Sequence, residues 1–135
     1  MYPGILLIDD DDDDQFIFLT ALENVAPDSH CDISNNALEA FQYLHARVET
    51  PDIIFLDLNM PLMNGFEFLL ILKSDPRLIS VPVIIFSTSD NPEDQARAKD
   101  LGAVQFITKT ADIELLKKDL RHIFSRKLVS ESLIH

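Results

Sequence analysis

Three of the chain's unbroken apolar stretches are ILLI at 5–8, IIFL at 53–56 and VIIF at 83–86. A run of four or five such residues is too short for a buried helix. With no polar alternation it reads as a strand covered on both faces, and such strands belong to parallel sheets. Parallel neighbours need a crossover of a dozen residues or more, usually a helix, and the intervening sequence supplies helical spacing. Asp14 to Val25 repeats Phe18, Leu22 and Val25, and Ala37 to His45 carries Leu38, Phe41 and Leu44. Phe66 to Lys73 is a third helix, stopped by SDP because the residue before proline resists helical geometry. A fourth opens at Asn91 with Pro92 in its first turn and closes at Leu101 before Gly102. A fifth runs from Ile113 to about Phe124 with Leu116, Leu120 and Ile123 inward. A weaker strand at 31–33 and VQFIT at 104–108 complete five strands and five helices. The pattern predicts an α/β fold with a parallel sheet covered on both faces. It reads as a single domain over 1–135, with its core at about 4–124 and residues 125–135 as a helix extension or tail.

In open sheets of this kind ligands bind beyond the carboxyl ends of the strands, near the point where strand order reverses. The residues at those ends are Asp9 and Asp10 after the first strand, Asp57 after the third, Ser87 and Thr88 after the fourth, and Lys109 after the fifth. Asp9 and Asp10 begin six consecutive aspartates set directly against an apolar run. Two carboxylates about 4 Å apart repel by roughly 4 kcal/mol at an effective dielectric of about 20, so the run is either a solvated loop or a cation site. Three strand-end carboxylates with a hydroxyl and an ammonium suit a hard divalent cation, and Mg²⁺ accepts carboxylate, carbonyl and water oxygens. With such a cation bound, Asp57 is suited to act as a nucleophile toward a phosphoryl group, and Lys109 and Ser87 to hold its oxygens. Asp11 to Asp14 read as a solvated helix start, with Asp13 or Asp14 as the N-cap and no ligand role.

The formal charge of -12 argues against a nucleic-acid or anionic-membrane partner, both of which need basic patches. No apolar stretch reaches the roughly 20 residues that span a bilayer. The N-terminus lacks signal-peptide character and Cys31, the single cysteine, has no internal partner. These features lead to the expectation of a cytoplasmic protein. Cys31 reads as a small core residue, and the four histidines show no ligand spacing.

ILLIDD, IIFLDLNMPLMNG, VPVIIFST and QFITK, in that order and spacing, resemble the receiver domain of two-component response regulators over about residues 4–124. DLNMPLMNG carries most of the likeness. The resemblance implies a doubly wound, flavodoxin-like sheet in the order 2-1-3-4-5, as in the stand-alone chemotaxis-type receivers. It implies that Asp57 accepts a phosphoryl group from the phosphohistidine of a histidine kinase in an Mg²⁺-dependent reaction. Asp10 would bind the metal directly, Asp9 mainly through water, Asp57 as the acceptor, and Asn59 through its backbone carbonyl. Ser87 and Lys109 would contact the phosphoryl group, and Ser87 and Phe106 would be the switch residues. As a phosphoacceptor signalling domain it would not be an enzyme, although it would assist its own phosphorylation and dephosphorylation. Its partners would be a sensor histidine kinase or phosphotransfer protein and a downstream protein, with room for a homodimer. No output domain is expected after Phe124.

Two features depart from the family. Lys109 is followed by Thr110 where proline in a cis peptide is usual; a cis bond before a non-proline residue costs about 2.5 to 4 kcal/mol, so a trans bond is expected. Thr88 stands where small residues are usual, narrowing access. Phe106 has a plainer reading as a core aromatic. Among rival functions, an EF-hand starting at Asp9 would need Gly at its sixth position and an acid at its twelfth, where Asp14 and Thr20 stand. A haloacid-dehalogenase-like phosphatase would carry its nucleophile after the first strand in an Asp-x-Asp arrangement. A degenerate, unphosphorylated receiver is opposed by the intact aspartates.

Overall fold

The computed structural model describes residues 4–125. Five strands, β1 (Gly4–Ile8), β2 (His30–Ser34), β3 (Ile53–Leu56), β4 (Val83–Ser87) and β5 (Gln105–Thr108), alternate with five helices. These are α1 (Asp12–Val25), α2 (Ala37–Ala46), α3 (Gly65–Lys73), α4 (Pro92–Asp100) and α5 (Ile113–Ser125). All strand pairs are parallel and the order is β2-β1-β3-β4-β5, the doubly wound arrangement expected. The tail beyond Ser125 lies outside the described residues.

Side-chain alternation splits each strand between two cores. Leu6, Ile8, Ile54, Leu56, Val83 and Ile85 face α2, α3 and α4. Ile5, Leu7, Phe55, Ile84, Phe86 and Ile107 face α1 and α5. On the second face Phe18 of α1 meets Phe55 edge-on, ring centroids 4.8 Å apart, a geometry favoured by the aromatic quadrupole. Leu116, Leu120 and Ile123 of α5 are buried there as the spacing predicts.

Three local expectations change. α1 starts at Asp12, and its N-cap is Asp11 rather than Asp13 or Asp14: the Asp11 carboxylate accepts from the backbone N–H groups of Asp13 and Asp14. In a run of identical good caps, composition cannot select among them; the geometry leaving β1 does. On α2 the inward residues are Ala37, Ala40 and Leu44, while Leu38 and Phe41 are 57% and 42% exposed. Small residues let α2 lie close to the sheet, so the apolar spacing read from the larger side chains marks the wrong stripe. Cys31 is half-buried at the edge of the second core rather than inside it.

The remaining helix starts follow their sequence signals. Asn64 and Glu67 form a reciprocal capping box on α3, and Asn91 caps α4 with Pro92 behind it. Gly102 follows α4 at φ 109°, in the left-handed region where glycine is favoured. No cis peptide occurs among the described residues, so the Lys109–Thr110 bond is trans as expected.

Candidate functional site

β1 lies between β2 and β3, and the chain reverses its direction of sheet growth there. Residues that follow β1 and β3 are therefore neighbours at the crevice this reversal opens. The backbones of the strand-end residues are fixed by the sheet itself. Asp9 N–H donates to Ser34 O (3.0 Å), Asp57 N–H to Ile8 O (2.9 Å) and Lys109 N–H to Ser87 O (2.6 Å). Each extends its ladder by one bond, leaving the side chain to point off the sheet end on a rigid base.

Asp9, Asp10 and Asp57 converge, each offering a carboxylate oxygen within 4.8 Å of the others. Asp9 and Asp57 are buried and Asp10 is exposed. Lys109 reaches them from β5, two strands from β3, by carrying its stem across β4; its ammonium lies 5.2 Å from the Phe86 ring centroid. Nζ is 2.8 Å from Asp9 Oδ2 and 3.5 Å from Asp57 Oδ2, with the side chain only 8% exposed. The ion pair with Asp9 is badly angled for a hydrogen bond, and Asp9 Oδ2 is the buried side-chain oxygen left without one among the described residues. Asp9 Oδ1 accepts from Asp11 N–H (3.0 Å) and an Asp57 oxygen from Asn59 N–H (3.2 Å).

The electrostatics follow from burial. Desolvation raises the Asp57 carboxyl to about 6, against the opposing pull of Lys109 and with help from Asp9 and Asp10. Asp9 is raised too, again chiefly by desolvation and against its contact with Lys109. For Lys109 burial works to lower the ammonium, but the carboxylates of Asp14, Asp9 and Asp57 outweigh it and the group is held above its ordinary value. One cation thus serves several crowded carboxylates. An acidic oxygen donor set whose buried Asp9 oxygen is held only by an ion pair fits a hard divalent cation.

Ser87 ends β4 fully buried, its hydroxyl oxygen accepting from Ser89 N–H (3.2 Å), and Thr88 is exposed. Asn59 is exposed in the β3–α3 loop. Gly65 closes that loop: its N–H donates to Leu58 O (2.9 Å), and a Cβ there would stand 2.4 Å from Asp57 O. The glycine is required for close backbone approach, not for an unusual φ. Phe106 is half-buried against the α2–α4 core.

Asp14 was expected to be solvated and instead joins the site, its Oδ2 accepting a hydrogen bond from Lys109 Nζ at 2.8 Å. The missed signal was helix phase. With Asp11 as the cap, Asp14 is the third helical residue, and side chains on a helix lean toward its N-terminus, here toward the strand ends. Among the described residues the histidines form no cluster; His30 contacts Asp32 and His45 contacts Asp75.

The family model for the response regulator receiver domain matches residues 5–121. The chain is 36% identical over 80 residues to PilH of Pseudomonas aeruginosa, covering 59% of this chain and 66% of that protein. It is also 36% identical over 85 residues to the response regulator PleD of Caulobacter vibrioides, 63% of this chain and 19% of that one. The matched stretch thus spans less than two thirds of either relative. Among solved structures, the phosphorylated cyanobacterial phytochrome response regulator RcpA superposes with a TM-score of 0.85 at 32% identity, covering 96% of both chains. The Mn²⁺-bound form of response regulator Rcp1 does so with 0.81 at 28%, covering 95% of this chain and 96% of that one. No relation to the haloacid dehalogenases supports the phosphatase alternative.

Proposed function

The chain belongs to the response regulator receiver domain family, and from that membership we propose that Asp57 is its phosphoacceptor, in a phosphorylation-dependent signalling protein. The observation that carries the residue assignment is the convergence of buried Asp57 and Asp9 from neighbouring strands with the Lys109 ammonium, 3.5 Å and 2.8 Å away.

In the reaction an Asp57 carboxylate oxygen attacks the phosphorus of a phosphohistidine. The new O–P bond forms as the P–N bond breaks, and the imidazole leaves with the electron pair and takes up a proton. Asn59 N–H, bonded to one Asp57 oxygen, orients the carboxylate so that the other faces the donor. The Lys109 ammonium stabilises the charge on the transferred oxygens, as a preformed cation in a desolvated site does best, and the Ser87 hydroxyl donates a hydrogen bond to the same group. Asp9, Asp10, Asp57 and the Asn59 carbonyl would hold an Mg²⁺ ion, which would supply positive charge against the repulsion between carboxylate and phosphoryl group. In this sense the domain assists its own phosphorylation and dephosphorylation without turning over an external substrate. Ser87 and Phe106 are the proposed switch: they lie on the neighbouring strands β4 and β5, where Ser87 pairs with Thr108 and Phe106 with Ile85, and Phe106 is half-buried against the core.

The proposed partners are a sensor histidine kinase or phosphotransfer protein upstream and a protein target downstream, with a second copy of the chain as a further candidate and the cytoplasm as the setting. Among the described residues no helix is long and apolar enough to cross a membrane. Incubation with acetyl phosphate and Mg²⁺ should add one phosphoryl group by intact mass, and Asp57→Asn should abolish the addition. Labelling of the Asp57→Asn variant equal to that of wild type would overturn the assignment.

A further inference from the structure

The six aspartates at 9–14 do not act alike. Asp9 and Asp10 end β1, Asp11 caps α1, and Asp12 and Asp13 are exposed in its first turn. Among the described residues Asp14 is the one of the four at 11–14 whose carboxylate pairs with a cation. That cation is Lys109, the ammonium on which the proposed phosphoacceptor chemistry depends.

The geometry ranks the partners. Lys109 Nζ is 2.8 Å from both Asp14 and Asp9 and 3.5 Å from Asp57. Only the contact with Asp14 is aligned as a side-chain hydrogen bond; the one with Asp9 leaves its oxygen without a bond. The aligned hydrogen bond of the ammonium therefore goes to α1, while Asp57 stands farther off at 3.5 Å. Among the described residues nothing else occupies the Asp14 carboxylate. An acid at the third helical position often folds back onto the N-cap N–H, but here Asp11 N–H is taken by Asp9 Oδ1. A charge-assisted bond of this kind, with Lys109 8% and Asp14 27% exposed, is stronger than a solvated surface pair.

Resting on the reading of Asp57 as phosphoacceptor, we propose that Asp14 is a positioning residue: it holds Lys109 on α1 in the resting protein and so slows acceptance of the phosphoryl group. Electrostatic assistance requires the donor to be aimed where charge develops. Here one donor of the ammonium, and much of its charge, is already committed to a full negative partner. Transfer from a small donor such as acetyl phosphate, in which the Asp57 O–P bond forms as the P–O bond to departing acetate breaks, therefore includes the cost of redirecting Lys109.

Asp14→Asn keeps the shape and an acceptor oxygen but removes the charge. The initial rate of phosphoryl uptake from acetyl phosphate at saturating Mg²⁺, read by intact mass, should rise about fivefold. Asp12→Asn removes the same charge from the same helical turn and should leave the rate at the wild-type value. Asp14→Glu should restore slow uptake, and in a Lys109→Gln background Asp14→Asn should give no gain. With metal removed by chelator, denaturation midpoints of the single and double variants at 14 and 109 should be non-additive, which reads the pair without any phosphoryl transfer. An unchanged or slower rate in Asp14→Asn, an equal gain in Asp12→Asn, a persisting gain without Lys109, or additive midpoints would each overturn the proposal. Failure of the wild-type protein to label at Asp57 would instead overturn the reading on which it rests.

Discussion

Among the described residues two ionic clusters centred on an aspartate behave oppositely. At the strand ends Asp57 is buried among Asp9, Asp10 and Lys109, and its carboxyl is pushed up to about 6 by desolvation. On the β2–α2 edge Asp32, its side chain 29% exposed, accepts a hydrogen bond from the Tyr43 hydroxyl and contacts His30 and Arg47. Its carboxyl is held below the ordinary value, first by the Tyr43 hydrogen bond, with burial opposing and the cations adding to it. Both aspartates have positive neighbours; what differs is how much water they have lost. The edge cluster is stabilising as it stands. The buried one leaves negative charge incompletely compensated, the usual mark of a site built to bind something.

The largest expected effect comes from removing that uncompensated charge. A carboxyl whose folded pKa lies above its unfolded value contributes stability that is fully present below about pH 3.8 and is lost as pH rises through about 6. In the metal-free wild-type protein stability should therefore fall across that window. Asp57→Asn has no such titration and should be more stable than wild type at pH 7 by up to about 3 kcal/mol, with the difference vanishing below pH 4. Urea denaturation of both proteins at several pH values measures it; a less stable Asn variant at pH 7 would show that Lys109 fully compensates Asp57.

The second effect tests whether the buried cluster depends on its backbone. Gly65→Ala places a methyl against Asp57 O, where a Cβ would stand 2.4 Å away. Backbone cannot yield as a flexible side chain would, so the loop or the strand end must shift, costing about 2 kcal/mol. The shift should also reduce Mg²⁺ affinity. A thermal melt and Mg²⁺ titration matching wild type would mean that the close approach has no consequence.

These two residues also show what was legible in advance. The buried strands announce themselves as apolar runs, and once the sheet is parallel its carboxyl ends name Asp9, Asp10, Asp57, Ser87 and Lys109 without further information. Helix faces were less legible: α2 packs through Ala37 and Ala40, whose small side chains carry little hydrophobic signal beside Leu38 and Phe41. The interior of the aspartate run was illegible because six identical residues give no phase. Only the exit geometry of β1 makes Asp11 the cap and turns Asp14 toward Lys109. The closeness of Gly65 to Asp57 is likewise a property of the folded loop, although the Asn-Gly pair was visible.

A third experiment divides the acidic run. Asp10 shares the carboxylate group of Asp9 and Asp57, whereas Asp12 sits on the exposed first turn of α1. Asp10→Asn should weaken Mg²⁺ binding by about tenfold or more, as expected when a charged oxygen ligand is lost, and Asp12→Asn should hardly change it. Isothermal titration of the two variants provides the comparison, and equal weakening would make the whole run a diffuse charge patch.

The smallest effect belongs to the edge cluster and has the opposite dependence on pH. Tyr43→Phe removes the hydroxyl that donates to Asp32 while keeping the ring under Arg47, whose guanidinium carbon lies 4.4 Å from its centroid. A hydrogen bond to a charged acceptor at a partly exposed site contributes about 1 kcal/mol, so the variant should be less stable than wild type by about that amount at pH 7. Because the folded pKa of Asp32 lies below its unfolded value, this contribution is present above pH 3.8 and lost as pH falls through the lowered folded pKa. The penalty of Tyr43→Phe should therefore shrink in acid, where the gain from Asp57→Asn also disappears. At neutral pH the two substitutions should act with opposite signs, one relieving a buried charge and the other unmasking a satisfied one. A penalty in Tyr43→Phe that persists unchanged at pH 2 would assign it to ring packing and end the contrast between the clusters.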